Sequence, residues 1–281
     1  MGQIEEALRK AKEMHARGGG TAYRTAQSSN IRTPSNAARA DGIEPFDSAL
    51  AKNLGQITLD ADIMERSRVV TGVQNSGANS TYKMLRTRLL QQLRANNWSR
   101  IAVCSPRANA GKTLTAINTA ISLSHEPNQQ VVLVDFDLRR PSVAKYLGIS
   151  NSRGISDYLN GQAGIEDVVF RTNIERLMVA PNRLSFDNSS ELLSSPKLIE
   201  LVDVLTNKHN SSIVLFDLPP LLDADDLLAF SPHFDAVLLV VAERETSKAD
   251  LQKSAHLIAD MDVIGVVLNK ARSEDFATGY Y

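Results

Sequence analysis

Along the middle and C-terminal parts of the chain, short apolar runs alternate with segments whose apolar residues recur every three to four positions. The runs are Ile101 to Cys104, Gln130 to Asp135, Leu177 to Ala180, Ile213 to Asp217, Ala236 to Val241 and Val263 to Leu268. Gln130 to Asp135, QVVLVD, is continuous and rich in β-branched residues, which marks a strand buried on both faces. Between the runs, Leu114 to Ser124, Pro196 to Leu205 and Lys248 to Ile258 have helical spacing, with Ile117, Ala120, Ile121 and Ser124 toward a sheet. Strands alternating with helices of this length predict an α/β fold with a doubly wound, mostly parallel sheet. No internal repeat is visible.

The N-terminal part follows a different pattern. From Gln3 to His15, Ile4, Ala7, Leu8, Ala11 and Met14 recur at helical spacing and predict a short amphipathic helix. From Gly18 to about Asp41 almost nothing large and apolar occurs, and such a stretch cannot offset its ordering entropy. A second helix is predicted where Tyr82, Leu85, Leu89 and Leu93 line one face, beside Lys83, Arg86 and Arg88. The expected organisation is an N-terminal helix over 1–17, a flexible linker over 18–56, a core domain over 57–271 and a short tail over 272–281.

Composition narrows the function classes. With 281 residues, 43% of them hydrophobic, the chain has the material for one large core plus an extension. A net charge of −1 argues against a dedicated nucleic-acid binder. The single cysteine, Cys104, excludes an internal disulfide and reads as a small buried strand residue in a reducing cytoplasm. The apolar runs fall short of a bilayer span, and MGQIEEALRK is too charged for a secretory signal. Gly2 is not followed by Ser or Thr at position 6, so a myristoylation site is not expected. A membrane role would come through a partner.

The stretch IAVCSPRANAGKT, Ile101 to Thr113, carries the chemistry: an apolar strand, a turn-rich loop, then Gly-Lys-Thr. Consecutive backbone N–H groups, a helix N-terminus and one ammonium are what hold a polyphosphate. Gly111 permits close backbone approach, Lys112 supplies charge for the β- and γ-phosphates, and Thr113 offers a hydroxyl to Mg²⁺. The cradle is predicted to run through Asn109, Ala110, Gly111, Lys112, Thr113 and Leu114. Pro106 stands where the phosphate-loop pattern has its first glycine, and Asn109, tolerant of a left-handed backbone, replaces a glycine in the bend.

Two strands end in acids. In open α/β sheets ligands bind beyond the carboxyl ends of the strands, which places Asp135, Asp137 and Asp217 beside a bound nucleotide. Asp at a strand end is also an ordinary cap or turn residue; together with Lys112 the three indicate a site. Mg²⁺ takes a hydroxyl and one or two carboxylates and keeps several waters. Thr113, Asp135 and Asp217 are the candidate metal ligands.

In SPRANAGKTLTAINTAISLS, VVLVDFDLRRPSVAKYLGI, GISDYLNG, SSELLSSPKLIELV, IVLFDLPPLLDADDLLAF, VLLVVAERETSKADL and GVVLNKA, roughly Leu59 to Lys270, the chain resembles the bacterial tyrosine kinases of the polysaccharide co-polymerase system. These P-loop NTPases are unrelated to eukaryotic kinases. The resemblance implies an ATP- and Mg²⁺-dependent autokinase acting in exopolysaccharide or capsule synthesis. Lys112 would stabilise the transferring phosphoryl group, Asp135 help activate the tyrosine hydroxyl or position a metal water, and Asp137 support the metal shell. Asp217 would hold Mg²⁺ and Asn269 contact the base. The acceptors in this family form a C-terminal tyrosine cluster, and this chain ends in SEDFATGYY, so Tyr280 and Tyr281 are the implied sites. The resemblance also implies a homo-oligomer, an integral-membrane co-polymerase as activator, no nucleic acid, and a cytoplasmic protein peripheral to the inner membrane.

The sequence departs from the family at two places. Ser80, Lys83 and Arg86 stand at the Glu-x-x-Arg-x-x-Arg of the ring-forming helix, and Ala108, Asn109 and Ala110 replace Pro-Gly-Glu in the loop. Two other classes stay open. One is a partition- or positioning-type ATPase switch, whose signature lysine is replaced here by Arg107; the other is a nucleotide-binding scaffold of the export complex.

Overall fold

The strands of the core are apolar at successive positions because each is covered on both sides. In a computed structural model, which describes residues 53–71, 77–150, 153–186, 189–206 and 212–271, Val132 and Val134 enter one hydrophobic cluster while Val131 and Leu133 enter another across the sheet. Side chains on a strand alternate between faces, so Val131 to Val134 had to be apolar at every position.

The strands are β1 (Gly55–Ile57), β2 (Arg100–Cys104), β3 (Gln130–Asp135), β4 (Phe170–Thr172), β5 (Leu177–Ala180), β6 (Ser212–Asp217), β7 (Ala236–Ala242) and β8 (Val263–Asn269). They form one sheet in the order β1-β4-β5-β3-β6-β2-β7-β8. Only the β4–β5 pair is antiparallel. Helices α1 (Ala61–Arg66), α2 (Gly77–Asn96), α3 (Lys112–Ser124) and α4 (Val143–Leu147) cover one face. Helices α5 (Ile155–Leu159), α6 (Ser189–Leu193), α7 (Pro196–Thr206), α8 (Asp226–Phe230) and α9 (Lys248–Leu257) cover the other. The architecture is the expected doubly wound α/β fold.

Several details differ from the sequence reading. The sheet begins at Gly55 with Leu54 in the core, so the domain starts before the expected boundary at 57. A three-residue edge strand is too short to show a period. On α2 the buried positions are Leu89, Leu90 and Leu93, with Leu85 packed beside them and Tyr82 only half-buried. Nearly all of α3 is buried, beyond the predicted stripe, because α2 covers its outer side. The predicted helix over 3–15, most of the linker and the tail with Tyr280 and Tyr281 lie outside the described residues.

Cys104 closes β2 fully buried, and burial pushes its thiol up to about 12, so it is an inert packing residue. Beneath the same strand, Asp235 accepts from the backbone N–H of Ser99 and Arg100, both at 2.8 Å, and from the Arg100 guanidinium at 2.6 Å. Burial alone would raise this carboxyl; the guanidinium and the two amides outweigh it and hold it below its ordinary value. The clamp fixes the start of β2 against β7, and hence the height at which the following loop leaves the sheet. Among the described residues no helix is long and apolar enough to cross a membrane.

Candidate active site

β2, β3, β6 and β8 all release their chains at the carboxyl edge of the sheet, and the predicted site residues meet there. Asp135 and Asp217 end adjacent strands and are register partners. This pairing follows from two apolar strands ending in an acid at the same depth.

The loop from β2 to α3 bends through Asn109, at φ +66°, and Gly111, at φ +87°, which caps α3. Asn109 adopts the left-handed backbone expected of it. At Gly111 a side chain is disfavoured twice over: L-residues rarely take that φ, and a Cβ would overlap Asn269 Nδ2 unless that side chain moved. Asn269 is turned onto this loop and donates to Ala110 O at 2.8 Å, joining the last strand to the first loop. Leu114, in the first turn of α3, packs its side chain toward the core.

Gly111→Ala is expected to weaken binding of Mg²⁺ with a non-hydrolysable ATP analogue by about 5–30-fold, since left-handed strain alone is worth about 1–2 kcal/mol. Adding Asn269→Ala removes the overlap but not the strain, so the double variant should recover part of the loss in calorimetry. Wild-type affinity in the single variant would show that the loop opens freely.

Lys112 begins α3 with its ammonium buried among acids, Nζ lying 2.5 Å from Asp217 Oδ1 and 3.2 Å from Asp137 Oδ2. Burial works to lower its pKa, but Asp217 and Asp137 prevail and hold the ammonium above its ordinary value. Thr113 Oγ1 donates to Asp217 Oδ2 at 2.7 Å. Asp135 Oδ2 accepts from the N–H of Ser142 and Val143, both at 3.0 Å, and Ser142 Oγ donates to Thr113 Oγ1 at 3.2 Å. Asp137 accepts from Arg140 N, which closes the turn after β3.

One ammonium thus faces three carboxylates. Burial, then repulsion from Asp217, pushes the Asp135 carboxyl well above its usual range. Burial raises Asp217 too, against the pull of Lys112 and Thr113. Asp135 Oδ1 is buried without a hydrogen-bond partner. An excess of negative charge, an orphaned carboxylate oxygen and a nearby hydroxyl fit a hard divalent cation. Among the described residues no group of three or more His, Cys, Asp or Glu forms an all-protein metal cage. One hydroxyl and two carboxylates are the share Mg²⁺ takes when phosphates and waters complete its shell.

The structure therefore brings together Asn109, Ala110, Gly111, Lys112, Thr113, Leu114, Asp135, Asp137, Asp217 and Asn269. It adds Ser142, which sequence reasoning missed although it follows Asp135 closely in DFDLRRPS; a serine after proline reads as a plain helix start. Arg107 is paired on the rim with Asp223, at 2.7 Å, and Asp250, at 3.1 Å. On α2, Arg86 is committed to its own chain, reaching Ser122 O at 3.2 Å and Glu126 Oε1 at 3.0 Å, whereas Ser80 and Lys83 are exposed.

Comparison with known proteins agrees with this geometry. The ParA family model, described as an NUBPL iron-transfer P-loop NTPase, matches residues 97–276. The tyrosine-protein kinase CpsD of Streptococcus pneumoniae is 30% identical over 199 residues, covering 69% of this chain and 84% of that protein. The putative tyrosine-protein kinase EpsB of Ralstonia solanacearum is 26% identical over 80% of this chain, which spans only 30% of that relative's length. Among solved structures, the chimerical protein CapA2B2 superposes with a TM-score of 0.66 at 26% identity, covering 78% of this chain and 93% of that one. The phosphate loop, the paired strand-end acids and these likenesses coincide on the same residues, and the chain belongs to the ParA-type P-loop NTPases and, among them, to the family of bacterial tyrosine-protein kinases.

Proposed function

We propose that the chain is an ATP-dependent protein-tyrosine autokinase that phosphorylates Tyr280 and Tyr281 of a neighbouring subunit and thereby regulates exopolysaccharide or capsular polysaccharide production. The observation that carries this reading is the convergence of one ammonium and three carboxylates at the mouth of a phosphate loop. Phosphoryl transfer depends mainly on positioning and charge neutralisation, and this cluster offers both.

Mg²⁺ and ATP would supply the transferable γ-phosphoryl and neutralise its charge; Thr113, Asp217 and Asp135 are the groups suited to hold the metal. Lys112 would set its ammonium against the γ-phosphate oxygens, and Asp137, 3.2 Å from it, would steer it. The loop amides from Asn109 to Leu114 would bind the phosphates, and Asn269 would close the loop and reach the base. A tyrosine hydroxyl with an ordinary pKa near 10 needs a base. Asp135 would help activate that hydroxyl or position a metal-bound water, since Oδ2 is fixed by two amides and Oδ1 has no hydrogen-bond partner.

In this reading an integral-membrane polysaccharide co-polymerase is the activator, the kinase works as a homo-oligomer at the cytoplasmic side of the inner membrane, and segments 1–17, 18–53 and 272–281 flank the catalytic domain. The test is mass spectrometry of the purified protein after phosphatase treatment and again after incubation with Mg-ATP and the activator. Phosphate is expected on Tyr280 or Tyr281. Inorganic phosphate release without phosphotyrosine would favour a hydrolytic switch, and neither would favour a scaffold.

A further inference from the structure

Beside this cluster the turn after β3 carries two guanidiniums, Arg139 and Arg140. Asp137 accepts from Arg140 N through both its carbonyl, at 3.1 Å, and its carboxylate, at 3.0 Å, while its other oxygen lies 3.2 Å from Lys112 Nζ. The turn is therefore rigid and tied to the phosphate-binding lysine. Arg140 is exposed and its guanidinium makes no ion pair or hydrogen bond among the described residues. Arg139 Nε donates to Ser189 Oγ at 2.8 Å, and its Nη2 is 4.0 Å from the exposed Asp225.

Behind Arg139 stands Asp226, fully buried at the start of α8, its carboxylate 3.5 Å from Arg139 Nε and beside the Ser189 hydroxyl that Arg139 engages. A buried carboxylate is costly unless it is compensated. Here the guanidinium and the hydroxyl compensate it, and in doing so the acid fixes the orientation of a rim arginine. Arginine so held presents a planar fork suited to carboxylates.

We propose that Arg139 and Arg140 form an acceptor-side subsite that binds an acidic, tyrosine-bearing peptide, with Asp226 as the buried residue positioning Arg139. The inference rests on the tyrosine-transfer reading and names the class of acceptor. The chain itself contains such a peptide, SEDFATGYY, in which Glu274 and Asp275 precede Tyr280 by six and five residues. Five residues span at most about 17 Å when extended, and Ala277, Thr278 and Gly279 let that span shorten. One peptide could thus set its acids on the turn while its tyrosine lies beside Lys112.

The experiment measures fluorescence anisotropy of a labelled peptide, residues 273–281, on the full chain saturated with Mg²⁺ and a non-hydrolysable ATP analogue. A second peptide carries Glu274→Gln and Asp275→Asn. Wild type is expected to bind the acidic peptide about tenfold more tightly, the preference fading with added salt. Arg140→Gln, a change at an exposed and unpaired side chain, should abolish most of that preference. Asp226→Asn should weaken it, and Asp226→Glu restore part. Equal binding of both peptides by wild type, binding of neither, or an undiminished preference in Arg140→Gln would overturn the proposal, as would a loss confined to nucleotide affinity. A charge-selective peptide that is bound but never phosphorylated would support the subsite while refuting the transfer reading.

Discussion

Lys112→Met is expected to lower tyrosine phosphorylation by about 10²–10³-fold, the usual loss when one preorganised charge at a developing transition state is removed. The residue sits 2.5 Å from Asp217 and 3.2 Å from Asp137, so its ammonium also compensates buried acids. Breaking such a pair by deleting one partner typically costs about 3–5 kcal/mol, and the variant should unfold at lower denaturant in the absence of nucleotide. Its tyrosines remain intact, which makes it the right acceptor for asking where the phosphate comes from. Tyr280 lies eleven residues beyond Asn269, about 36–40 Å when fully extended. Asn269 lies against the phosphate loop, 2.8 Å from Ala110 O, so that length reaches either its own loop or a neighbour's. The proposed reading is transfer between chains. Mixed with a Tyr280→Phe/Tyr281→Phe chain whose site is intact, Lys112→Met should become phosphorylated at a rate that rises with protein concentration. If it stays unlabelled while wild type labels itself independently of concentration, transfer occurs within one chain.

How far the sequence reveals this molecule depends on whether a feature is local. QVVLVD, SIVLFD and AVLLVV are legible because burial on both faces removes polar positions, and each lies within one of the observed strands β3, β6 and β7. The left-handed bend at Asn109 is likewise a property of one residue. Short elements are not legible: β1 and β4, three residues each, have no period, and the antiparallel β4–β5 pairing interrupts the βα alternation without any signal. Contacts between distant segments are hidden for another reason. Asn269 meeting Ala110, or Asp226 standing behind Arg139, depends on which strands become neighbours, and composition carries no trace of that. Asp226 reads as one more acid in LLDADDLLAF, yet it is the one buried completely. The strand-end acids are legible because they combine a local cue, an acid ending an apolar run, with a general rule about where α/β sheets bind ligands.

The same acids allow a sharp separation of metal binding from folding. Asp217→Asn is expected to weaken Mg-ATP binding by about 100-fold, or roughly 2.7 kcal/mol, while leaving nucleotide affinity in EDTA unchanged or slightly improved. With the cation present, Asp217 would act as an anionic ligand or hold the Thr113 hydroxyl that does, and the amide would forfeit that charge. Without the cation, the same carboxylate repels the triphosphate and competes with it for Lys112, so neutralising it removes a penalty. The substitution keeps the side-chain shape and an acceptor oxygen for Lys112 and Thr113, which limits damage to the loop. Isothermal titration with and without EDTA decides the matter. An equal loss in both conditions would mean that Asp217 supports the phosphate loop as structure rather than through the metal.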